Sequence, residues 1–560
     1  MIRKKKARCF FAAVCCMVLS TPLFTIAGVN LKNGNFYITY TDHDLTKSNG
    51  ISIDRTYNSK TTSIGLFGFG WGSELETRLF AMGDGSVYIR EFGGGSVTSF
   101  LQSVEDDLLL TTCINNIAKA AIENGDLVNN PVAINNFKKL MRESEERRRN
   151  SWEKYQTAGL LQMPAFPENT KWTTRDLGSQ ELVKTADGFK RQYNDGSYFL
   201  FNNDGLFTGK YDKYKQLVYT LAYNDTKQLR LITDKGGNQY AITTNNDGLI
   251  TRLQTKQGTS VYLYKDKSLI STTDAGGNKY NYTYDDKYNM TSIGYSDGSF
   301  LKIEYYNVTL FVKKITDRNG TVTEYVYKNF YDAEGKINDN HYATWVIKAN
   351  SYTNQPDSNY YEYEVRKKPN GASYTYRIVQ RINGIETETV YSETCNNPVL
   401  RRKGVRETTF QYNQNCDLIY KETYDYIARA EYDEKLRKIT RTEYISKTDG
   451  DTTINTFTYN ANGDLVKATE GNKWILLSYN SEHKIVKMEY EDGILTYEYN
   501  SIGKPSNITV SGKGSITVEY DKYGEISKVE SPDGSKTAIA VTQAMQALLS
   551  RTKPKGLDFN

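Results

Sequence analysis

Histidine, cysteine and proline are scarce: 3, 6 and 10 residues in a chain of 560. His43, His341 and His483 lie far apart, with no pair at metal-ligand spacing, and no Cys-x-x-Cys occurs. The sequence therefore offers neither a zinc ribbon nor a dithiol centre. It also has no nucleophile elbow, phosphate-cradling P-loop or zincin motif. Gly93-Gly94-Gly95 lacks the strand–loop–helix setting of a nucleotide site and reads as a hairpin turn. A carboxylate pair at glycosidase separation leaves no mark on a sequence, but Asp and Glu here mostly occupy turns and strand edges, where solvation accounts for them. We expect no cofactor, no metal and no catalysis.

Long apolar runs are missing too, apart from Phe10 to Phe24. That run follows Arg3, Lys4, Lys5, Lys6 and Arg8 and precedes the small-residue pattern Thr25-Ile26-Ala27, so residues 1–28 read as a secretory signal. It is short for a membrane span of roughly 20 residues and is broken by Ser20, Thr21 and Pro22. Membrane contact is expected only through this segment if it stays uncleaved. The formal charge of +5 comes from 71 basic and 66 acidic residues. Removing the five basic residues of the signal balances the two counts, and nucleic-acid binding loses its electrostatic support. Cys9, Cys15 and Cys16 lie in the signal, and neither Cys15 nor Cys16 follows a lipobox pattern. Cys113, Cys395 and Cys416 remain, too few for a disulfide scaffold. Cys395 and Cys416 stand 21 residues apart, close to the repeat length described next. They read either as a disulfide across neighbouring turns or as two separate buried thiols.

What the chain does have is tyrosine, 45 residues, with 42 glycines. Tyr with Thr, Val and Ile favours strands, while Gly, Asn and Asp supply turns. Aromatic-plus-polar pairs recur at Phe201-Asn202, Tyr223-Asn224, a degenerate Thr244-Asn245, Tyr264-Lys265, Tyr284-Asp285, Tyr305-Tyr306 and Tyr327-Lys328, at intervals of 20 to 22. A second series runs Tyr412-Asn413 and Tyr432-Asp433, then Tyr459-Asn460, Tyr479-Asn480, Tyr499-Asn500 and Tyr520-Asp521. Such a period marks a tandem array. In Lys279 to Tyr284 three tyrosines alternate with polar residues and so share one face of a strand. Asp285 to Asn289 supplies a turn, Met290 to Tyr295 a return strand, and Asp297-Gly298-Ser299 a second turn. Stacked hairpins share a core that one hairpin cannot form, and a long strip of strands curls. The fold class is mainly β, a spiral of hairpins.

Other segments break the period. Leu110, Ile114, Ile117 and Ala121, then Ile134, Phe137, Leu140 and Met141, recur at helical spacing, so 103–161 reads as a helical hairpin bracing the shell or serving as a partner-binding arm. Val541, Ala544, Met545 and Leu548 mark a terminal helix, expected to cap the last repeat's edge, with plugging the shell opening or docking a partner as the alternative. Residues 329–400 fit the period poorly and are expected to hold longer strands or an insertion loop. The chain divides into a signal (1–28), an N-terminal β module (29–102), the helical insertion (103–161), a connector (162–194), the array (195–535), and a helix with its tail (536–560).

The array resembles the Rhs/YD-repeat family, which includes bacterial rearrangement-hotspot proteins, toxin-complex shells and teneurins. The N-terminal module adds to the resemblance through Asn33-Gly34-Asn35-Phe36, Thr41-Asp42, Arg55-Thr56-Tyr57-Asn58-Ser59, Gly65 to Gly72 with its Gly68, Gly70, Trp71 and Gly72, and Glu91 to Gly95. The glycines between Phe67, Phe69 and Trp71 suit close backbone approach around an aromatic cluster. The resemblance implies a left-handed β-spiral forming a hollow cocoon around a C-terminal toxin released by aspartyl self-cleavage at Asp-Pro-x-Gly-Leu. Here the matching stretch is Lys553-Pro554-Lys555-Gly556-Leu557, with lysine in place of the acid and three residues after it. We therefore carry over neither toxin nor self-cleavage, and we expect an open or partial cocoon. The implied role is a secreted shell, in the periplasm or at the surface of a bacterium, that encloses, escorts or scaffolds another polypeptide. The alternative is a cell-surface adhesin or carbohydrate binder whose tyrosine rows stack on sugars. Its partners would be a protein cargo or a surface glycan or protein.

Overall fold

The structure is a computed structural model and describes residues 27–45, 51–91, 95–102, 106–174, 180–256, 258–349, 356–368, 372–501, 503–520, 526–532 and 535–558. Nearly all of the expected signal, and Asp521, lie outside these residues. The chain forms two compact units, one from Thr25–His43 with Ser52–Val405 and one built mainly from Arg406–Asn560. Among the described residues no helix is long and apolar enough to cross a membrane.

The larger unit opens with a four-stranded antiparallel sheet, in the order Ala27–Asn30, Asn35–Leu45, Ile51–Asn58, Trp71–Gly72. A three-stranded sheet of Arg78–Ala81, Val87–Arg90 and Val97–Phe100 follows. The insertion then folds as three helices, α1 (Asp107–Glu123), α2 (Pro131–Glu143) and α3 (Glu145–Thr157), where a two-helix hairpin was expected. The extra break is at Ser144, which leaves the helical region at φ −140 and whose hydroxyl caps α3 by accepting from the Arg147 amide. Asp106 caps α1 and Asn130 caps α2, the latter ahead of Pro131. Cys113 (a free thiol), Ile114, Ile117, Met141, Trp152 and Tyr155 pack with Met82 and Tyr88 of the preceding sheet, so the helices brace the module. Leu140, expected in the core stripe, points outward, 43% exposed, because Met141 takes the inward position.

From Lys171–Thr174 to Pro398–Lys403 every strand pairs antiparallel with the next in chain order. The sheet thus starts inside the stretch expected to be a connector. Trp172, Leu182 and Phe189 are the buried apolar residues there, and none stands in an aromatic–Asx pair, which is why the pattern concealed these strands. Beyond Tyr327 the strands lengthen, with Val322–Tyr331, Ile337–Lys348, Asp357–Lys367 and Ser373–Ile382 holding 10 to 12 residues each. Cys395 is buried in the turn before Pro398–Lys403.

The second unit repeats the scheme from Arg406–Tyr412 to Ile526–Glu530, with Cys416 buried in its first turn. Its helix α4 (Ser535–Thr552) sets Ala540, Val541, Ala544, Met545 and Leu548 against Phe457, Ile475, Leu477, Met488, Leu495, Val510 and Ile516. The helix covers a sheet face rather than the terminal edge that was expected. The last strand stays largely exposed, and the small side chains at 540 and 544 let α4 settle on the inner strands. The tail then turns back. Gly556 lies against Tyr426, Ala428 and Tyr444, the Lys555 ammonium is 4.3 Å from the Tyr444 ring, and buried Lys421 donates to the Asp558 carbonyl and carboxylate.

Candidate functional site

The repeat signature has one recurring geometry. The antiparallel register shifts by one residue at Tyr223, Tyr264, Tyr284, Tyr305, Tyr412, Tyr432, Tyr459, Tyr479, Tyr499 and Tyr520, whereas at Tyr327 the ladder runs on and the shift falls between Asn329 and Phe330. Each bulge disrupts the ladder locally and opens backbone groups on the partner strand. The hydroxyl of the next signature tyrosine takes the carbonyl set free there. Tyr264 donates to Ile250 O at 2.6 Å, Tyr284 to Leu269 O at 2.7 Å and Tyr305 to Met290 O at 3.0 Å. Tyr223, Tyr432, Tyr459, Tyr479, Tyr499 and Tyr520 do the same with Phe207, Leu418, Ile439, Leu465, Ile485 and Pro505. Burial pushes the Tyr264, Tyr284 and Tyr305 hydroxyls well above the usual phenol range, so they stay protonated donors.

The residue after the tyrosine ties the turn. Asn224, Asp285, Asn413, Asn460, Asn480 and Asn500 each accept, through the side-chain oxygen, the amide four residues on. Asp433 accepts from Leu436 at 2.6 Å. The position three residues past the Asx is left-handed, occupied by Gly463 and Gly503 in some repeats but by Lys227, Tyr288, Cys416 and His483 in others. The Asx bonds hold the backbone there despite the side chain. The expected result of Tyr499→Phe is a loss of about 1 kcal/mol, read by urea unfolding of the full chain. The hydroxyl is the rung and the ring remains.

The N-terminal module docks onto this ladder. The bulges also free amides, and the module takes them: Ile250 N donates to Leu66 O at 2.8 Å, Val312 N to Gly34 O at 2.9 Å and Met290 N to Tyr57 Oη at 2.9 Å. In the opposite sense, Phe69 N donates to Lys267 O at 2.9 Å and Trp71 Nε1 to the Tyr284 hydroxyl at 3.2 Å. Gly68, at φ +96, lies so close that a Cβ would meet Lys267 O at 2.6 Å. Gly70, at φ +81, leaves room for the Tyr57 ring. Asn58 and Gly72 act within the module, where Asn58 N donates to Gly70 O and Gly72 pairs with Thr56.

At the centre, fully buried Arg55 donates to both oxygens of Asp42 at 2.9 and 3.1 Å. Its guanidinium lies 4.6 Å from the Trp71 ring and 5.6 Å from that of Tyr282. Tyr262 donates to Asp42 at 2.7 Å. His43, next to Asp42, meets Ser260 Oγ at 3.1 Å with both side chains buried. This Ser–His contact is a core hydrogen bond, and the ion pair lies between two strands of the module, tied to the array through the Tyr262 hydroxyl and the Tyr282 ring.

The profile of a family described as Teneurin YD-shell matches residues 242–557, and one described as Domain of unknown function (DUF6531) matches 27–98. The first spans more than half of the chain. The chain belongs to the teneurin YD-shell family. No curated protein sequence matches this YD-shell chain. Solved structures similar to it include the crystal structure of TcdB2-TccC3, with 11% identity over 64% of this chain and 22% of that one at a TM-score of 0.40. TcdB2-TccC3 without its hypervariable C-terminal region gives 11% identity over 90% and 28% at 0.41, and TcdB2-TccC3-TEV 10% over 94% and 29% at 0.41. The chain spans less than a third of the length of those chains.

Sequence spacing missed one constellation of the YD-shell protein. His341 stands directly opposite Glu364, with Glu362 beside it and Arg377 on the next strand. Burial would raise the Glu362 carboxyl, but hydrogen bonds from Tyr360 and His341 and the charge of Arg377 outweigh it and hold it below its ordinary value. A His separated by some twenty residues from a Glu-x-Glu becomes visible only once the strand register is known.

Proposed function

We propose that this YD-shell protein is secreted, non-catalytic, and encloses, escorts or scaffolds another polypeptide in the periplasm or at the surface of a bacterium. The match of residues 242–557 to the teneurin YD-shell family carries the reading, and the leader-like residues 1–28 support export. Parts of the sheet already carry cover from the same chain, the N-terminal module in one unit and α4 in the other. The long strands keep exposed apolar side chains, Val326, Tyr331, Ile337 and Ile382, as does the next strand at Ile385, which supports contact with a second chain there. The adhesin alternative finds less support. The signature hydroxyls are spent on carbonyls, and Lys438, Lys484 and Lys504 lie over the rings of Tyr459, Tyr499 and Tyr520 at 5.2 to 5.5 Å, where a sugar would have to stack. Isolation of the full chain from its native host under non-denaturing conditions is expected to bring a stoichiometric polypeptide with it, identified by mass spectrometry. A chain that always comes alone overturns the reading.

A further inference from the structure

The long strands gather side chains that the repeat signature does not use. The donor atoms of His341, Glu362 and Glu364 all lie within 4.8 Å of one another. The His341 ring stacks on Phe330 at 3.8 Å and 8°, and its Nε2 lies 2.9 Å from Glu362 Oε1. Tyr360 donates to Glu362 Oε2 at 2.6 Å. We propose that His341, Glu362 and Glu364 form a binding site for a divalent transition-metal ion of the zinc type.

The chemistry of the set points that way. One imidazole nitrogen and two carboxylates are zinc ligands in protein sites, and the nitrogen disfavours magnesium and calcium. All three side chains are 17 to 30% exposed, which leaves an approach from solvent and open positions for water. Strand pairing and the Phe330 stack fix the donors before any ion arrives, and Tyr360 orients a ligating carboxylate from behind.

The competing account is a plain ion-pair network, whose charges balance only if His341 carries a proton. Arg377 Nη1 serves Glu362 at 3.4 Å and Glu364 at 3.0 Å while its Nε holds Glu388 at 2.5 Å. Arg402 also reaches Glu388, at 3.2 Å. Two guanidinium groups thus face three carboxylates. A divalent ion between the imidazole and the first two carboxylates relieves that surplus, and Arg377 keeps Glu388.

Calorimetric titration of the chelator-stripped full chain with zinc chloride is expected to show uptake of one equivalent at this site, with a rise in thermal midpoint and weaker binding of magnesium and calcium. His341→Ala and Glu364→Gln should each weaken zinc by at least about tenfold, and Tyr360→Phe by about tenfold, with folding checked by circular dichroism. Arg377→Gln separates the two accounts: the metal site keeps or tightens zinc, whereas an ion-pair network loses stability and takes up none. No uptake by the folded parent chain, or uptake untouched by both His341→Ala and Glu364→Gln, overturns the proposal.

Discussion

Replacing Arg55 by methionine is expected to cost about 3–5 kcal/mol in urea unfolding of the full chain, far more than the loss of any one tyrosine rung. Arg55 and Asp42 are 0% and 1% exposed at their side chains. Burial pushes the Asp42 carboxyl up, and the Arg55 charge with the Tyr262 hydrogen bond opposes it. Without the guanidinium, Asp42 must either hold a buried charge with Tyr262 alone or take up a proton. The rings of Trp71 and Tyr40, 4.6 and 4.9 Å from the guanidinium, lose a cation as well. Methionine fills the volume and keeps cavity formation small, so the measured loss is mostly electrostatic. The double variant Arg55→Met with Asp42→Asn should cost less than the sum of the two singles, because it leaves no unpaired charge. A single-variant cost under about 1 kcal/mol, in the range of an exposed pair, would show that the buried ion pair does not hold the module and its array-facing core together.

The second large effect lies in pH dependence. Burial pushes the His43 imidazole down from 6.5 to about 4, with the charge of Asp274 opposing it. Burial pushes the Glu76 carboxyl up from 4.5 to about 7, against hydrogen bonds from the Leu66 and Ser73 backbone. His43 is neutral in the fold but binds a proton in the unfolded chain below 6.5, so its contribution is lost as pH falls from 6.5 towards 4. Glu76 is protonated in the fold but ionises in the unfolded chain above 4.5, so its contribution is full below 4.5 and lost as pH rises towards 7. Over the shared window the two slopes oppose each other. Glu76→Gln leaves the His43 slope uncompensated, and relative to the parent the variant should gain stability as pH rises, by about 3 kcal/mol across the window. His43→Asn, which retains a partner for Ser260, should tilt the difference curve the other way. Urea midpoints measured from pH 4 to 7 decide it, and variant curves that run parallel to the parent sink the assignment.

The sequence made the repeat legible because the two residues that define it do separate physical jobs. The aromatic needs a hydroxyl at a fixed reach and the Asx needs a short side-chain acceptor, so both leave a mark every twenty or so residues. Turn chemistry at Asp285 to Asn289 was readable for the same reason. The strands around Trp172, Leu182 and Phe189 bury ordinary apolar side chains and carry no such mark. The third helix of the insertion hung on a single serine, and a capping residue is weak evidence in a polar stretch. The face chosen by α4 depended on what lay opposite it, a tertiary fact. The module residues Arg55, Tyr57, Gly68, Gly70 and Trp71 stood out as a string, and Asp42 and Tyr284 in their own motifs, but the pairings of Asp42 with Tyr262, Trp71 with Tyr284 and Tyr57 with Met290 did not, because the partners lie more than 200 positions apart. His341 with Glu362 and Glu364 was hidden in the same way by antiparallel register.

The tyrosine rungs bear on how such arrays change over time. Each hydroxyl grips a main-chain oxygen, which every amino acid supplies, and not a particular neighbouring side chain. A hairpin is therefore interchangeable with the next, since deleting or duplicating one leaves the following tyrosine facing an equivalent acceptor. Array length is free to drift by whole units under this arrangement, whereas the stretch gripped by the N-terminal module, with its unique Arg55 contact, is not.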